Sequence, residues 1–261
     1  IVAAAPAGSA WLAGDRVAYS TGVQGAYASQ VAVPAAHLIR LPDAISLRDA
    51  CAAIEHGLTA IMLVDDVARL PNTGTVLVHA AAGGVGGWLV QMLAARGLRV
   101  LGTASSASKA EWLRSVGVQA VRYDNETDWL AQVLDATQGH GVDVVFDSVG
   151  KSTFTQSLQV VAACGHVILF GAASGQPDPI DVLQLMRKSI TLTRQVLPHY
   201  LTNPASLQAH ADQVFAYLSA GTVRLRIHAE YALADVAQAH AALAQRGTQG
   251  KLLLSINPTL I

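Results

Sequence analysis

From Val76 onward, short apolar runs alternate with longer stretches whose apolar positions recur every three or four residues. "TVLVH" (75–79) is a compact apolar run. In "GGWLVQMLAARG", which follows it, Trp88, Leu89, Met92 and Leu93 share a helical stripe, and Gly97 stands where a helix ends. The alternation continues with "RVLGTA" (99–104), the helical "SKAEWLRSVG" closed by Gly117, and "AVRY" (120–123). A helix over 128–137, the strand "VDVVFD" (142–147), a helix over 154–164 capped by Gly165, and "HVILFG" (166–171) complete it. Strand and helix in strict succession require right-handed crossovers and a parallel sheet. Helices on both faces bury such strands, so the strands read as nearly continuous apolar runs, as here. The pattern predicts an α/β fold on a doubly wound parallel sheet.

The flanks are patterned differently. "GDRVAYSTGVQGAYASQVAV" (14–33) has strand-like runs broken by Gly22 and Gly25, the pattern of an antiparallel hairpin. After a short helix over 181–188, "SITLTRQV" opens at Ser189, closes at Val196, and is expected at the outer edge of the central sheet. The C-terminal part predicts a helix over 204–221, a short strand near 224–228, a helix over 234–246 and a last strand "KLLLSI". This gives a β-rich first segment, a central α/β domain, and a C-terminal segment that returns to the first.

The turn between the first central strand and its helix reads Ala80-x-x-Gly83-x-x-Gly86, with Gly84 and Gly87 in addition. Glycines here let the chain bend, let backbone approach a diphosphate and let helix pack on strand. The helix start at Gly84 and Val85 offers free N–H groups and the positive end of its dipole to such an anion. The second strand decides which dinucleotide fits. A carboxylate at its end would hold a free ribose, but this chain has "GTASSASK" (102–109) there. Ser105, Ser106, Ser108 and the charge of Lys109 suit a 2′-phosphate, and the nearest carboxylate, Glu111, lies inside the next helix. NADP(H) is therefore favoured over NAD(H).

Composition narrows the class. The chain has 261 residues, 52% apolar and 13% charged, with a net charge of −1 and no long basic run, so a nucleic-acid surface is not indicated. Two cysteines 113 positions apart give neither a disulfide framework nor a Cys-x-x-Cys metal site, and they fit a reducing cytoplasm. No uncharged apolar run approaches the ~20 residues that span a bilayer, so no membrane partner is expected.

"GDRVAY", "GAYA", "HGLTA", "HAAAGGVG", "FDSVG" and "TQGK" together resemble the zeta-crystallin-type quinone oxidoreductases, zinc-free members of the medium-chain dehydrogenase/reductase superfamily. The resemblance covers essentially the whole chain, and an alanine in place of the first glycine is typical of that branch. It implies NADPH-dependent reduction of quinones or activated alkenes. It divides the chain into a partial GroES-like substrate domain (1–57), an NADP(H)-binding Rossmann domain (58–197) and a C-terminal segment (198–261) that rejoins the substrate domain. The N-terminal part of that domain is expected to be missing from this chain, with Ile1 and Val2 falling within one of its strands.

By the same resemblance Gly84 and Val85 lie at the diphosphate, and Ser105, Ser106 and Lys109 hold the 2′-phosphate. Tyr123 lies beside that phosphate and the adenine, and Ser148 borders the adenosine pocket. Phe170, Gly171 and Ala172 present backbone to the nicotinamide end, with Leu197 and Thr59 on that side and Arg246 closing over the cofactor. The edge strand is expected to pair with its own copy in a homodimer.

Other chemistries are less well served. A catalytic zinc needs converging cysteine, histidine and carboxylate ligands, and Cys51 with Glu55 and His56 reads instead as core and helix-end residues. No tyrosine has a lysine four residues on, and no Gly-x-Ser-x-Gly elbow occurs. His79 and His166, at strand ends, read as structural. No residue is singled out as a general acid, which agrees with a cofactor that supplies hydride and a solvent that supplies the proton. An enoyl reductase domain excised from a larger synthase, and a dinucleotide-binding module without turnover, are the alternative readings.

Overall fold

The structure is a computed structural model and describes residues 1–20, 22–123, 128–245 and 247–256. In chain order the elements begin with β1 (Val17–Tyr19), β2 (Leu38–Arg40), α1 (Leu47–Ile61), β3 (Thr75–Val78), α2 (Gly84–Ala95), β4 (Arg99–Ala104) and α3 (Ala107–Ser115). They continue with β5 (Gln119–Arg122), α4 (Trp129–Ala136), β6 (Val142–Asp147), α5 (Phe154–Val160), β7 (Val161–Leu169), α6 (Leu183–Met186) and β8 (Thr191–Thr193). The last are α7 (Pro204–Ser219), β9 (Ile227–Ala232), α8 (Val236–Ala244) and β10 (Lys251–Ser255). Two compact units result: Ile1–Ile61 with Leu197–Ile261, and Met62–Val196.

The second unit is one six-stranded sheet in the order β5-β4-β3-β6-β7-β8. Every neighbouring pair is parallel, as apolar runs covered on both faces require. Leu77, Leu101, Val145 and Val167, one from each of four adjacent strands, are fully buried against Val133 of α4 and Val160 of α5. The chain moves outward from β3 to β5 and then returns to β6 on the other side of β3. The carboxyl ends of β3 and β6 therefore flank the point where strand order reverses, the place where open α/β sheets bind ligands.

In the first unit β1 pairs antiparallel with β2, β9 pairs parallel with β10, and α1 packs against α7 and β10. Asn203 caps α7: its side chain accepts from Ser206 N–H while Ser206 Oγ reaches back, with Pro204 opening the helix. Among the described residues no helix is long and apolar enough to cross a membrane.

Four expectations change. The helix predicted over 154–164 stops at Val160, and the strand starts at Val161. Lys188 Nζ donates to the carbonyls of Gln159 and Val161 at 2.7 and 2.8 Å, so a tertiary partner takes up the helix end. Cys164 then turns the chain at φ +61°, and a Cβ on Gly165 would fall 2.9 Å from Asp143 O. The hairpin in 14–33 is replaced by pairing of β1 with the more distant β2, Ala18 opposite Ile39. The strand near 224–228 is displaced to Ile227–Ala232, where β10 offers it a partner. The edge strand within 189–196 shrinks to Thr191–Thr193, with Ser189 left-handed at φ +52° before it.

Candidate active site

The opening alanine of the glycine turn takes the backbone that glycine usually supplies. Ala80 stands at φ +49°, a left-handed conformation costly for a residue with a Cβ. It is held there by two bonds to β4: Ala80 N–H donates to Thr103 Oγ1 at 3.0 Å and Ala81 N–H to Thr103 O at 3.1 Å. The remaining glycines keep their steric reasons. A Cβ on Gly86 would lie 2.4 Å from Ala80 O, and one on Gly83 3.0 Å from the same atom. Gly83 caps α2 without a side chain, which leaves the first amides, at Gly84 and Val85, facing outward from the turn.

One strand over, Ser106 caps α3 by accepting from Lys109 N–H at 3.3 Å, and its hydroxyl lies 3.2 Å from that of Ser108. Lys109 Nζ bends back to donate to Ser105 Oγ at 3.3 Å, so cation and hydroxyl meet just past the end of β4. Tyr123 joins them from just past β5, its N–H donating to Ala104 O at 3.2 Å.

Across the switch point, Asp147 ends β6 fully buried. Its carboxylate accepts from the N–H groups of Val149 and Gly150 at 2.9 and 3.0 Å and from the hydroxyls of Thr153 and Ser157 at 2.9 Å. Ser148 is thereby fixed at the apex of the turn. Gly171 passes so close that a Cβ there would lie 2.4 Å from Ser148 O. Phe170 N–H donates to Asp147 O and Ala173 N–H to Ser148 O, which places Phe170, Gly171 and Ala172 beside the same turn.

Along the carboxyl edge of the sheet the order is thus Tyr123, then Ser105, Ser106 and Lys109, then Gly84 and Val85, then Ser148, then Phe170, Gly171 and Ala172. Thr59 and Leu197 belong to the first unit. Thr59, on α1, donates its hydroxyl to Glu55 O at 2.9 Å, and Leu197 is buried at the start of a short turn. Arg246 lies outside the described residues.

Sequence reading missed the polar layer under this edge: Thr103, Asp147, Thr153 and Ser157 join His79 there, all buried. The signal available was a carboxylate closing the apolar run "VDVVF" and a threonine inside "VLGTA". It also missed Gln195, whose buried amide oxygen and nitrogen both find no partner among the described residues. Ile168 pairs with Thr193, so Gln195 follows β8 level with Phe170.

Histidine electrostatics follow burial. Burial lowers the His79 imidazole below its ordinary value, with Asp147 opposing. Burial and then Arg69 lower His166. In the first unit, burial followed by the Lys251 charge brings His56 down to about 4. Among the described residues no three histidine, cysteine or carboxylate side chains converge as a metal site.

The family described as zinc-binding dehydrogenase matches residues 84–213. A quinone oxidoreductase of Pseudomonas aeruginosa is 40% identical over 243 residues, which span 92% of this chain and 74% of that protein. A 2-haloacrylate reductase of a Burkholderia species is 34% identical over 245 residues, 92% of this chain and 74% of its own. The solved structure of Escherichia coli quinone oxidoreductase complexed with NADPH matches with a TM-score of 0.88 at 33% identity, covering 94% of this chain and 76% of that one.

Proposed function

The chain belongs to the quinone oxidoreductases of the medium-chain dehydrogenase/reductase superfamily, and from that premise we propose that it reduces quinones or activated alkenes with NADPH and without zinc. The observation that carries this reading is the edge just described: hydroxyl–lysine pair, glycine cradle and Ser148–Gly171 contact follow one another at the carboxyl ends of β4, β3, β6 and β7. The residues fit the cofactor. The amides of Gly84 and Val85 hold the diphosphate, where a side chain on Gly86 would have no room. Lys109, Ser105 and Ser106 hold the 2′-phosphate, Tyr123 flanks the adenine, and Ser148 borders the adenosine.

Phe170, Gly171 and Ala172 present the nicotinamide end, where Gln195 offers an amide. Thr59, Leu197 and Arg246 are assigned to the cofactor by the family likeness of the sequence, and the first unit to the GroES-like substrate side. Bound NADPH supplies the hydride. The chain's own part is to orient the cofactor and hold an apolar acceptor against it, with solvent providing the proton. The zinc-free reading follows the zeta-crystallin-type likeness of the sequence, with Cys51, Glu55 and His56 taken as core and helix-end residues.

Two further assignments go with this reading. We place the protein in a reducing cytoplasm, in keeping with two free thiols, and as a homodimer through the β8 edge. The deciding experiment is NADPH consumption with 1,4-benzoquinone, 9,10-phenanthrenequinone and a crotonyl thioester, with and without a chelator. Turnover that survives the chelator supports the reading. Cofactor binding with no oxidation across the panel would replace it with a binding module.

A further inference from the structure

Beneath the cofactor edge the second unit buries a polar chain to which the proposed reaction gives no role. His79, one residue past β3, is 1% exposed, and its ring stands edge-on to Trp129 of α4, with centroids 4.7 Å apart. On one side His79 Nε2 lies 3.1 Å from Ser157 Oγ, which lies 2.9 Å from Asp147 Oδ2. On the other side His79 Nδ1 lies 3.3 Å from Thr103 Oγ1, the atom that also receives Ala80 N–H.

The directions of these bonds are fixed by their ends. A carboxylate and a backbone carbonyl only accept, so the single Ser157 proton goes to Asp147 or to Thr153 O, 3.1 Å away, and not to His79. Ser157 then accepts from His79 Nε2–H, which leaves Nδ1 as the acceptor for the Thr103 proton. One neutral tautomer satisfies the whole chain. At its two ends are the backbone of Ala80, four residues before Gly84, and the amides of Val149 and Gly150, which flank Ser148 on its far side.

We propose that His79 is a positioning residue: its neutral ring locks the glycine turn and the 147–150 turn into one register, and its protonation releases both. A second ring N–H would face Thr103 Oγ1, which already receives a donor from Ala80. The Thr103 proton would then have no acceptor among the described residues, and a buried donor left unpaired is costly. The elements around the ring present Thr103 from β4, Trp129 from α4, Ser157 from α5 and Asp147 from β6. Of these Asp147 alone is charged, and burial outweighs it in keeping the ring neutral. This goes beyond a stabilising network, because two turns from different halves of the sheet answer to one proton. That the release weakens NADPH binding rests on the function proposed above.

The test has two arms, on the whole chain with His79→Gln and Ser157→Ala beside the unaltered protein. In the first, amide hydrogen exchange is followed from pH 7.5 to 4.5 and corrected for intrinsic rates. Protection at Ala80, Val149 and Gly150 should fall together in the unaltered protein, approaching tenfold per pH unit once the ring titrates. Glutamine keeps a donor and an acceptor but cannot titrate, so the joint fall should vanish in His79→Gln. Ser157→Ala should leave Val149 and Gly150 no longer following Ala80. Protection that is flat with pH, or that falls equally in His79→Gln, overturns the proposal.

In the second arm NADPH is titrated over the same range, comparing proteins in one buffer so that the ligand's own titration cancels. Affinity should fall on acidification in the unaltered protein and stay flat in His79→Gln, with kcat following neither. If NADPH fails to bind at all while the exchange arm behaves as expected, the functional reading falls and the His79 lock stands. If NADPH binds but its pH dependence is the same with glutamine at 79, the lock does not reach the cofactor and the proposal fails.

Discussion

Ala80 is held in left-handed backbone by Thr103, its N–H 3.0 Å from the threonine hydroxyl. The pair explains how an alanine stands at a position where this type of turn normally has glycine. The left-handed conformation costs a residue with a Cβ about 1 kcal/mol, and the Thr103 bonds offset that locally. Ala80→Gly should remove the strain while adding some freedom to the unfolded chain, for a net gain of up to about 1 kcal/mol. Thr103→Val keeps shape but deletes the hydroxyl, leaving Ala80 N–H unpaired at a loss of about 1–3 kcal/mol. Urea denaturation of both variants checks the pair; a destabilised Ala80→Gly would contradict the strain account.

Lys109 and Ser105 converge past β4, where an extra phosphate on the ribose would sit. Lys109→Ala should weaken NADPH far more than NADH, since only the former carries that phosphate. A charge-assisted bond of this kind contributes roughly 1.5–3 kcal/mol, ten- to a hundredfold in affinity. Fluorescence titration with both cofactors decides it, and equal losses would remove Lys109 from the phosphate site.

Gly171 and Ser148 approach too closely for any side chain between them. Gly171→Ala would push a methyl to 2.4 Å from Ser148 O, a backbone atom with no easy retreat. Overpacking of this kind costs about 1–3 kcal/mol, and here it separates the two turns proposed to border the cofactor. The expected result is a lower thermal midpoint together with a raised KM for NADPH. A variant with unchanged KM would place the cofactor elsewhere.

The central sheet could be read from sequence because each buried strand is a continuous apolar run and helix ends such as Gly97 and Gly117 carry local turn chemistry. The elements that moved did so for tertiary reasons. α5 gives way to strand at Val161 because Lys188, far along the chain, takes up its last carbonyls. β1 finds β2 rather than a neighbouring run because Arg16 donates to the carbonyls of Pro42 and Asp43, bringing that segment alongside. At the site, residues with a turn or charge signature, such as Gly84 and Lys109, were legible. Thr103, Ser157 and Gln195 were not, since a polar residue's sequence context carries no mark of its partner, or of finding none among the described residues.

Acid stability should follow the histidines. A histidine whose folded pKa lies below its unfolded value of about 6.5 takes up its proton more readily when unfolded. Its contribution is therefore complete above pH 6.5 and is lost as pH falls toward the folded value. For His56 that window runs from about 6.5 down to about 4, and His79 and His166 shift in the same direction. Each adds up to about 1.4 kcal/mol per pH unit inside its window. Unfolding free energy from denaturant titrations at pH 7.5, 6 and 5 should fall with a slope that His56→Gln reduces. Stability that rises on acidification would contradict this.

The last expectation concerns assembly, and it combines an edge with a patch. β8 closes one side of the sheet, and only three residues of it pair with β7, Leu192 opposite Val167. A short strand is one of the ways an edge is protected, so the edge alone decides little. The neighbouring surface adds weight: Val182 is 71% exposed, Leu183 61% and Met186 72%, all at or beside α6, with Val196 48% exposed beyond β8. Apolar side chains this exposed, beside an unpaired strand edge without proline or lysine, suit a self-complementary interface. In a two-fold interface each substitution acts twice. The unaltered protein should sediment as a dimer at micromolar concentration. Leu192→Pro deletes a backbone donor on the edge strand and should give monomers or aggregates. Met186→Glu leaves the sheet intact and should give a folded monomer, because a charge buried at a seam without a partner is costly. A monomeric unaltered protein would end the proposal, and a dimer that tolerates both substitutions would move the interface to another face.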